Sequence, residues 1–235
     1  MSAPQALKVG PQAGDSSEDL RTAQTLRITE IFRSLQGEAR ATGLPTCFVR
    51  LTGCPLRCHY CDTAYAFHGG AKQSIDEVLA AVAEKGVHNV CVTGGEPLAQ
   101  RACWPLLTAL CDAGYAVSIE TSGAIDFSTI DPRVHRVIDI KTPASGETER
   151  QCWTALQSLR ATDQLKFVIS SRADYEWALD VIAERLQGTA AEILMSPAVP
   201  ALAPATLADW IVADAPPVRF QVQLHKILWG DTPGR

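Results

Sequence analysis

The stretch Thr52-Gly53-Cys54-Pro55-Leu56-Arg57-Cys58-His59-Tyr60-Cys61-Asp62-Thr63 places three cysteines in one short loop. It directly follows an apolar run, 47–51, that is typical of a buried β-strand. Three thiolates can bind three irons of a 4Fe-4S cluster and leave the fourth iron open to another molecule. Because an open iron suits catalysis better than electron storage, the loop predicts a reactive cluster bound by Cys54, Cys58 and Cys61.

Two other interpretations of this loop are open on the cysteines alone. A structural zinc site needs four ligands, so His59 would have to be the fourth, and its position between two of the cysteines makes that geometry awkward. Inert thiols are the second alternative. A disulfide framework is typical of small secreted chains and does not suit this one.

Length, composition and charge limit the class of protein. The chain has 235 residues, of which 46% are hydrophobic, which is enough for one well-packed domain. Its net charge of -5 disfavours nucleic acid as a partner and favours a small-molecule substrate. No run approaches the roughly 18 apolar residues of a membrane span, so we expect a cytoplasmic protein without a membrane partner. The remaining cysteines are expected to be structural: Cys47, Cys91, Cys103, Cys111 and Cys152.

The order of predicted elements indicates an α/β fold. Residues 1–24 are poor in large aliphatic side chains and predict a flexible tail, followed by a single domain over 25–235. Strands are predicted over 47–51, 90–93, 116–120, 137–140, 165–169, 192–195 and 218–224, and helices over 75–85, 100–113, 148–160, 173–186 and 205–213. Such alternation implies parallel strands joined by crossovers. The helices are too few for an eight-fold barrel, so the expected architecture is a partial, splayed parallel β/α barrel with its reactive residues at the carboxyl ends of the strands.

Polar and glycine-rich motifs follow several of the predicted strands. Thr93-Gly94-Gly95-Glu96-Pro97 combines glycines, which allow close backbone approach, with acceptors for a protonated amine. Later strands end in Glu120-Thr121-Ser122-Gly123, Asp139-Ile140-Lys141-Thr142-Pro143 and Met195-Ser196-Pro197-Ala198. Taken singly, each of these is as consistent with an ordinary loop as with a binding site.

Together, the cysteine loop with Tyr60 and the Gly-Gly-Glu-Pro motif resemble the radical S-adenosylmethionine (SAM) superfamily. The resemblance implies a 4Fe-4S cluster whose open iron binds SAM. It also implies a set of SAM-binding residues: Tyr60, Cys61, Asp62, Gly95, Glu96, Ser122, Asp139, Ile140, Lys141, Met195, Ser196, Pro197 and Ala198.

A finer resemblance, covering nearly all of the chain from about residue 27 onward, is to the 7-carboxy-7-deazaguanine synthases. It rests on Leu35-Gln36-Gly37-Glu38, Arg50, Cys61-Asp62-Thr63 and Gln223-Leu224-His225-Lys226, which occur in the family's order. It implies that 6-carboxy-5,6,7,8-tetrahydropterin is bound by Leu35, Gln36, Gly37, Glu38, Arg50, Thr93 and His225, and Mg²⁺ by Thr63. The planar guanidinium of Arg50 suits the substrate carboxylate, and Glu38 suits the amine-bearing edge of the pterin.

This resemblance further implies a reaction and its partners. A radical formed from SAM abstracts hydrogen from the pterin, the ring contracts, ammonia leaves and SAM is regenerated, in queuosine or 7-deazapurine biosynthesis. The expected partners are an electron donor such as flavodoxin or ferredoxin and a second copy of the chain in a homodimer. One departure is that residues 227–235 extend beyond the point where the family's chains end. The alternatives are an activase that acts on a partner protein and a non-enzymatic metal-binding module.

Overall fold

The computed structural model describes residues 25–230, 232 and 234, in which the strands form one nine-stranded sheet. In chain order the strands are β1 (Thr25–Leu35), β2 (Pro45–Leu51), β3 (Ala71–Ser74), β4 (Asn89–Gly94), β5 (Ala116–Thr121), β6 (His135–Ile140), β7 (Gln164–Ile169), β8 (Glu192–Pro197) and β9 (Arg219–Phe220). Their order across the sheet is β3-β1-β2-β4-β5-β6-β7-β8-β9. Strand β1 is antiparallel to β2 and β3, whereas every pair from β2 to β9 is parallel. The predicted parallel sheet is confirmed.

Helices pack against the outer face of this sheet and bury its core, except for the last one in the described residues, which has no buried residue. They are α1 (Ile75–Ala83), α2 (Cys103–Asp112), α3 (Arg172–Arg185), α4 (Pro204–Asp214) and α5 (Leu224–Trp229). Strand β4 is buried on both faces, which explains why its sequence is a continuous apolar run rather than an alternating one. No helix in the described part of the chain combines the length and hydrophobicity that a bilayer crossing requires. The predicted tail, 1–24, lies outside the described residues.

Helix α1 shows how local sequence sets a boundary. Ser74 Oγ accepts a hydrogen bond from the Glu77 backbone N–H at 3.2 Å, and the Glu77 carboxylate accepts one from the Ser74 backbone N–H at 2.7 Å. This reciprocal capping box satisfies two backbone donors at the start of the helix, as its sequence predicts. Gly86, with φ of 64°, follows the helix in the left-handed conformation that glycine favours.

Two predicted elements are wrong. Residues 148–160 form two short 3₁₀ turns, Thr148–Arg150 and Trp153–Ser158, rather than one α-helix. Between them, the Cys152 backbone N–H bonds to the Gly123 carbonyl at 2.8 Å, so a tertiary contact replaces the helical hydrogen bond. The predicted strand 218–224 pairs with β8 only over Arg219–Phe220, and Leu224 instead begins α5, where its N–H bonds to the Gly37 carbonyl at 3.0 Å.

Candidate active site

A cavity of about 540 Å³ opens at the carboxyl ends of the parallel strands, where the sequence predicts the reactive residues. It brings together every predicted substrate-binding residue and most of the predicted cofactor-binding ones: Leu35, Gln36, Gly37, Glu38, Arg50, Cys54, Cys58, Tyr60, Cys61, Asp62, Thr63, Thr93, Gly95, Ser122, Asp139, Lys141, Ala198 and His225. A larger groove of about 690 Å³ lies elsewhere, beside α3 and β9, and has no cysteine or histidine in its lining.

The cysteine loop leaves the end of β2 and lies at the rim of this cavity. Cys54, Cys58 and Cys61 are free, half-buried thiols, and the Leu56 backbone N–H donates to Cys54 Sγ at 3.4 Å. Burial raises the pKa of the Cys54 thiol to about 11, so iron binding at this site has to displace a proton. The convergence of three thiols on one cavity fits a 4Fe-4S cluster.

The donor geometry bears differently on zinc and on a cluster. No three His, Cys, Asp or Glu side chains within the described ranges are arranged to bind one metal ion together. A four-iron cluster does not require three side chains around a single metal ion, because each thiolate binds a different iron. His59, the fourth ligand in the zinc interpretation, directs its Nδ1 to the Ala144 carbonyl at 3.2 Å instead.

The two glycines of the Gly-Gly-Glu-Pro motif pack directly against the cysteine loop. A Cβ added at Gly95 would lie 2.3 Å from the Gly53 carbonyl oxygen and 2.8 Å from Cys54 Cβ. Gly94 has φ of 154°, and a Cβ there would lie 2.3 Å from the Leu51 carbonyl oxygen. Glycine is therefore required at both positions so that β4 can approach the loop that carries the cysteines.

Glu96 lies behind the cavity wall rather than in it. Its carboxylate is fully buried and accepts hydrogen bonds from the Ser122 N–H at 2.7 Å, Thr121 Oγ1 at 2.9 Å and the Leu98 N–H at 3.0 Å. It therefore shapes the end of β5, while Gly95 lines the cavity. The other predicted SAM-binding residues outside the cavity lining are buried: Ile140, Met195, Ser196 and Pro197.

Arg50 is oriented by a partner that the sequence analysis did not identify. Its Nε donates to Glu30 Oε1 at 2.7 Å, and Tyr65 Oη donates to the same oxygen at 2.8 Å. The guanidinium also lies 5.9 Å from the ring centroid of Phe32 and 5.8 Å from that of Tyr65. These contacts fix the plane of the guanidinium at the cavity wall, which a bidentate carboxylate site requires.

The Gln-Gly-Glu turn and the C-terminal His-Lys segment meet at this cavity although they are far apart in sequence. The Leu224 N–H bonds to the Gly37 carbonyl at 3.0 Å, and a Cβ at Gly37 would lie 2.2 Å from His225 Nδ1. Only glycine leaves room for the histidine ring. The turn is also tied to β5, because Gln36 Nε2 donates to Glu120 Oε1 at 3.2 Å.

The sequence analysis named neither Lys166, which lines the cavity, nor Glu30, which contacts Arg50 behind it, and it quoted Glu120, Gln223 and Lys226 only within motifs. Lys166 is the most informative, because its Nζ lies 2.7 Å from Glu38 Oε2 and 3.7 Å from Asp139 Oδ2. The parallel pairing of Asp139 with Lys166 places the two side chains next to each other on the cavity face. A charged residue inside the predicted strand 165–169, whose other residues are apolar, was the available signal.

Charges inside the cavity stabilise one another. Burial would raise the pKa of the Asp139 carboxyl, but Lys141 and Lys166 outweigh it and lower that pKa. Burial would also lower the pKa of Lys166, but Glu38 and Asp139 raise it well above its ordinary value. Asp139 and Lys166 are therefore ionised at neutral pH and present fixed charges to a ligand.

Comparison with known proteins finds a family model, curated relatives and a solved structure similar to this chain. The radical SAM superfamily model matches residues 48–140. The 7-carboxy-7-deazaguanine synthase of Chlorobaculum tepidum is 43% identical over 213 residues, which covers 89% of this chain and 97% of the relative. The synthase of Koribacter versatilis is 41% identical over 219 residues, covering 87% of this chain and 97% of that protein. The crystal structure of QueE from Escherichia coli has a TM-score of 0.73 at 24% identity and covers 90% of this chain and 100% of that chain.

These similarities confirm the expected fold, a splayed partial β/α barrel, and the expected enzyme class. They also support the 4Fe-4S cluster and SAM as cofactors, since both define the superfamily. The roles of individual residues stay predictions. With relatives of this identity and coverage, the chain belongs to the 7-carboxy-7-deazaguanine synthases, a family of radical SAM enzymes.

Proposed function

We propose that this enzyme converts 6-carboxy-5,6,7,8-tetrahydropterin to 7-carboxy-7-deazaguanine with release of ammonia. The observation that carries the proposal is that the cysteine loop, the Gln-Gly-Glu turn, Arg50 and His225 line one cavity. Loss of ammonia balances the conversion without net oxidation, which is consistent with regeneration of SAM. Because the matching relatives are synthases, we do not propose the activase or the metal-binding module.

The chain's own residues bind and orient the substrate. The cluster and SAM, when bound, supply the radical chemistry. Arg50, with its plane fixed by Glu30, binds the substrate carboxylate through two N–H groups. Glu38 accepts hydrogen bonds from the amine-bearing edge of the pterin, and His225, packed on Gly37, closes the same side of the cavity.

Thr63 is the proposed protein ligand for Mg²⁺. Its hydroxyl donates to Asp62 Oδ1 at 2.8 Å, which leaves the oxygen lone pairs available to a hard cation. Thr63→Val keeps the shape and removes the oxygen, so Mg²⁺-dependent turnover is expected to fall while cluster content stays normal. Full activity of the wild-type enzyme without Mg²⁺ would contradict this role.

Three further features belong to the proposal. A flavodoxin or ferredoxin is the proposed electron donor, because the cluster has to be reduced by a one-electron carrier. A homodimer and a cytoplasmic location are proposed on the resemblance to the family. An anaerobic assay with each purified donor would test the electron donor, and analytical ultracentrifugation would test the homodimer.

The decisive experiment is anaerobic turnover of the carboxytetrahydropterin by wild type, Arg50→Lys and Glu38→Gln. Arg50→Lys keeps the charge but loses the planar fork, so KM should rise about tenfold or more. Glu38→Gln replaces a charged acceptor by a neutral amide and should weaken binding similarly. Reductive cleavage of SAM without substrate should persist in both, and Arg33→Lys on the exposed part of β1 is the matched control. If both cavity variants keep wild-type kinetics, the pterin assignment fails.

A further inference from the structure

Lys166 lies between the predicted substrate side and the predicted SAM side of the cavity. Its side chain extends from β7 and is only 11% exposed. The ammonium contacts Glu38 Oε2 at 2.7 Å on one side and Asp139 Oδ2 at 3.7 Å on the other. A lysine ammonium carries several donors, so it can bind both carboxylates at the same time.

These contacts extend into a chain of polar groups across the cavity. Gln223 Nε2 donates to Glu38 Oε1 at 2.7 Å, and Lys141 Nζ donates to Asp139 Oδ2 at 3.0 Å. We call Gln223, Glu38, Lys166, Asp139 and Lys141 the Lys166 chain. Its members come from separate parts of the sequence, and Lys166 is the link between the two halves.

At the Asp139 end of the Lys166 chain, one carboxylate oxygen has unused hydrogen-bonding capacity. Asp139 Oδ1 is buried and has no hydrogen-bond partner among the described residues, although the residue lines the cavity. A buried carboxylate oxygen without a donor is costly. A donor group of a bound ligand would relieve that cost.

We propose that Lys166 is a positioning residue that couples the binding of SAM to the binding of the pterin. The inference rests on the proposed function, which assigns Glu38 to the substrate and Asp139 to SAM. A ligand that orders one carboxylate also orders the Lys166 ammonium, which lowers the entropic cost of ordering the other carboxylate. Such coupling is reciprocal, so each ligand tightens the binding of the other by the same factor.

Calorimetry on the cluster-loaded enzyme tests the coupling without relying on activity. SAM is titrated anaerobically with and without the carboxytetrahydropterin, and reductant is omitted so that no turnover occurs. In the wild type we expect the pterin to lower the Kd of SAM about five- to tenfold. In Lys166→Met the ratio of the two Kd values should fall to about one, and Lys166→Arg, which keeps a charged donor, should restore most of it.

Two further variants keep the test decisive. Lys72→Met removes an exposed lysine on β3 and should leave the ratio unchanged. Removal of Lys166 leaves Glu38 without a cationic partner and Asp139 with Lys141 alone, and it can destabilise the fold. Glu38→Gln interrupts the Lys166 chain on the substrate side and leaves no unpaired charge at position 38. It should also bring the ratio of the two Kd values of SAM toward one.

The outcomes separate this inference from the proposed function. A ratio near one in the wild type, or a wild-type ratio in folded Lys166→Met or Glu38→Gln, would overturn the coupling while turnover of the pterin leaves the function intact. If the wild type neither binds nor turns over the pterin, the proposed function fails and the coupling fails with it.

Discussion

Strands β6 and β7 bury charged side chains at both of their ends, and the two ends differ in how completely those charges are paired. At the amino ends, Arg136 on β6 is 2% exposed and Asp163 just before β7 is fully buried. At the carboxyl side, Asp139 and Lys166 lie in the cavity. The comparison shows that burial of charge does not by itself indicate a functional site.

The amino-end cluster is closed. All the N–H donors of Arg136 have acceptors, which are the Asp163 carboxylate, the Phe127 carbonyl, and the hydroxyl and carbonyl of Ser158. Asp163 also accepts from the Arg160 N–H at 2.7 Å and from Arg160 Nη2 at 2.9 Å. No hydrogen-bonding capacity is left for a ligand, so this group of charged residues stabilises the amino ends of β6 and β7.

The carboxyl-end cluster is open. Lys166 and Lys141 both contact Asp139 Oδ2, yet the other oxygen of Asp139 has no partner within the described chain. Its charges also border a cavity, whereas Arg136 and Asp163 are surrounded by protein. Unfilled hydrogen-bonding capacity beside a cavity is thus the feature that distinguishes a binding site from a structural ion pair.

The largest effect is expected at the open end, from loss of a cysteine ligand of the 4Fe-4S cluster. Cys58→Ala should abolish the reconstituted 4Fe-4S absorption and all SAM cleavage, because the cluster loses one of its protein ligands. Anaerobic reconstitution followed by iron, sulfide and absorbance measurements checks this. Cys111→Ala, at a half-buried thiol in α2, is the control and should keep the cluster. Loss of the cluster in that control would refute the assignment of the three ligands.

The next largest effect is expected at the closed end, on stability rather than binding. Asp163→Asn leaves the buried Arg136 charge without its counter-ion and should lower the free energy of unfolding by roughly 3–5 kcal/mol. Denaturant unfolding measures the change, and SAM affinity of the folded variant should be unaffected. Arg133→Gln, which removes solvent-exposed ion pairs with Asp131 and Asp112, should cost far less. Equal losses in the two variants would remove the distinction between buried and exposed pairs.

A smaller effect is expected from the unpaired oxygen of the open end. Asp139→Asn keeps the size of the side chain but removes its charge, so the Kd of SAM should rise about tenfold, equivalent to roughly 1.4 kcal/mol. Calorimetry on the cluster-loaded enzyme measures it. Asp76→Asn, at an exposed position in α1, is the matched control. An unchanged Kd in Asp139→Asn would mean that the open oxygen does not face SAM.

The smallest effect is a pH dependence of the closed end. Burial would raise the pKa of the Asp163 carboxyl, but Arg136 and Arg160 outweigh it and lower that pKa in the folded state. A depressed carboxyl pKa contributes stability that is present above the unfolded value of about 3.9 and is lost as pH falls through the folded value. The difference in unfolding free energy between wild type and Asp163→Asn should therefore be constant above about pH 5 and shrink below about pH 4. Denaturation of the cluster-free protein across this range measures it, and a constant difference would contradict the assignment.

Local sequence patterns predicted most of the strands and helices correctly, because the interactions that produce these elements are between residues close together in the sequence. The cysteine spacing, the Ser74 capping box and the apolar strand runs each depend on neighbours within a few residues. They were sufficient for the parallel α/β fold and for the side of the sheet where the cavity lies. The helix predicted over 148–160 failed because a distant carbonyl, that of Gly123, competes for its backbone hydrogen bonds.

The cysteine loop, the order of strands and helices, and the motifs at the strand ends follow from the order of residues along the chain, since spacing and periodicity are properties of that order. The partners of those motifs do not. Glu38 lies 128 residues from Lys166, and Gly37 meets His225 only because α5 folds back onto the Gln-Gly-Glu turn. Strand register and the alternation of side chains across the sheet decide which buried charged groups have all their hydrogen-bonding capacity filled and which do not. Those relations arise when distant segments pack together, so they are settled in three dimensions.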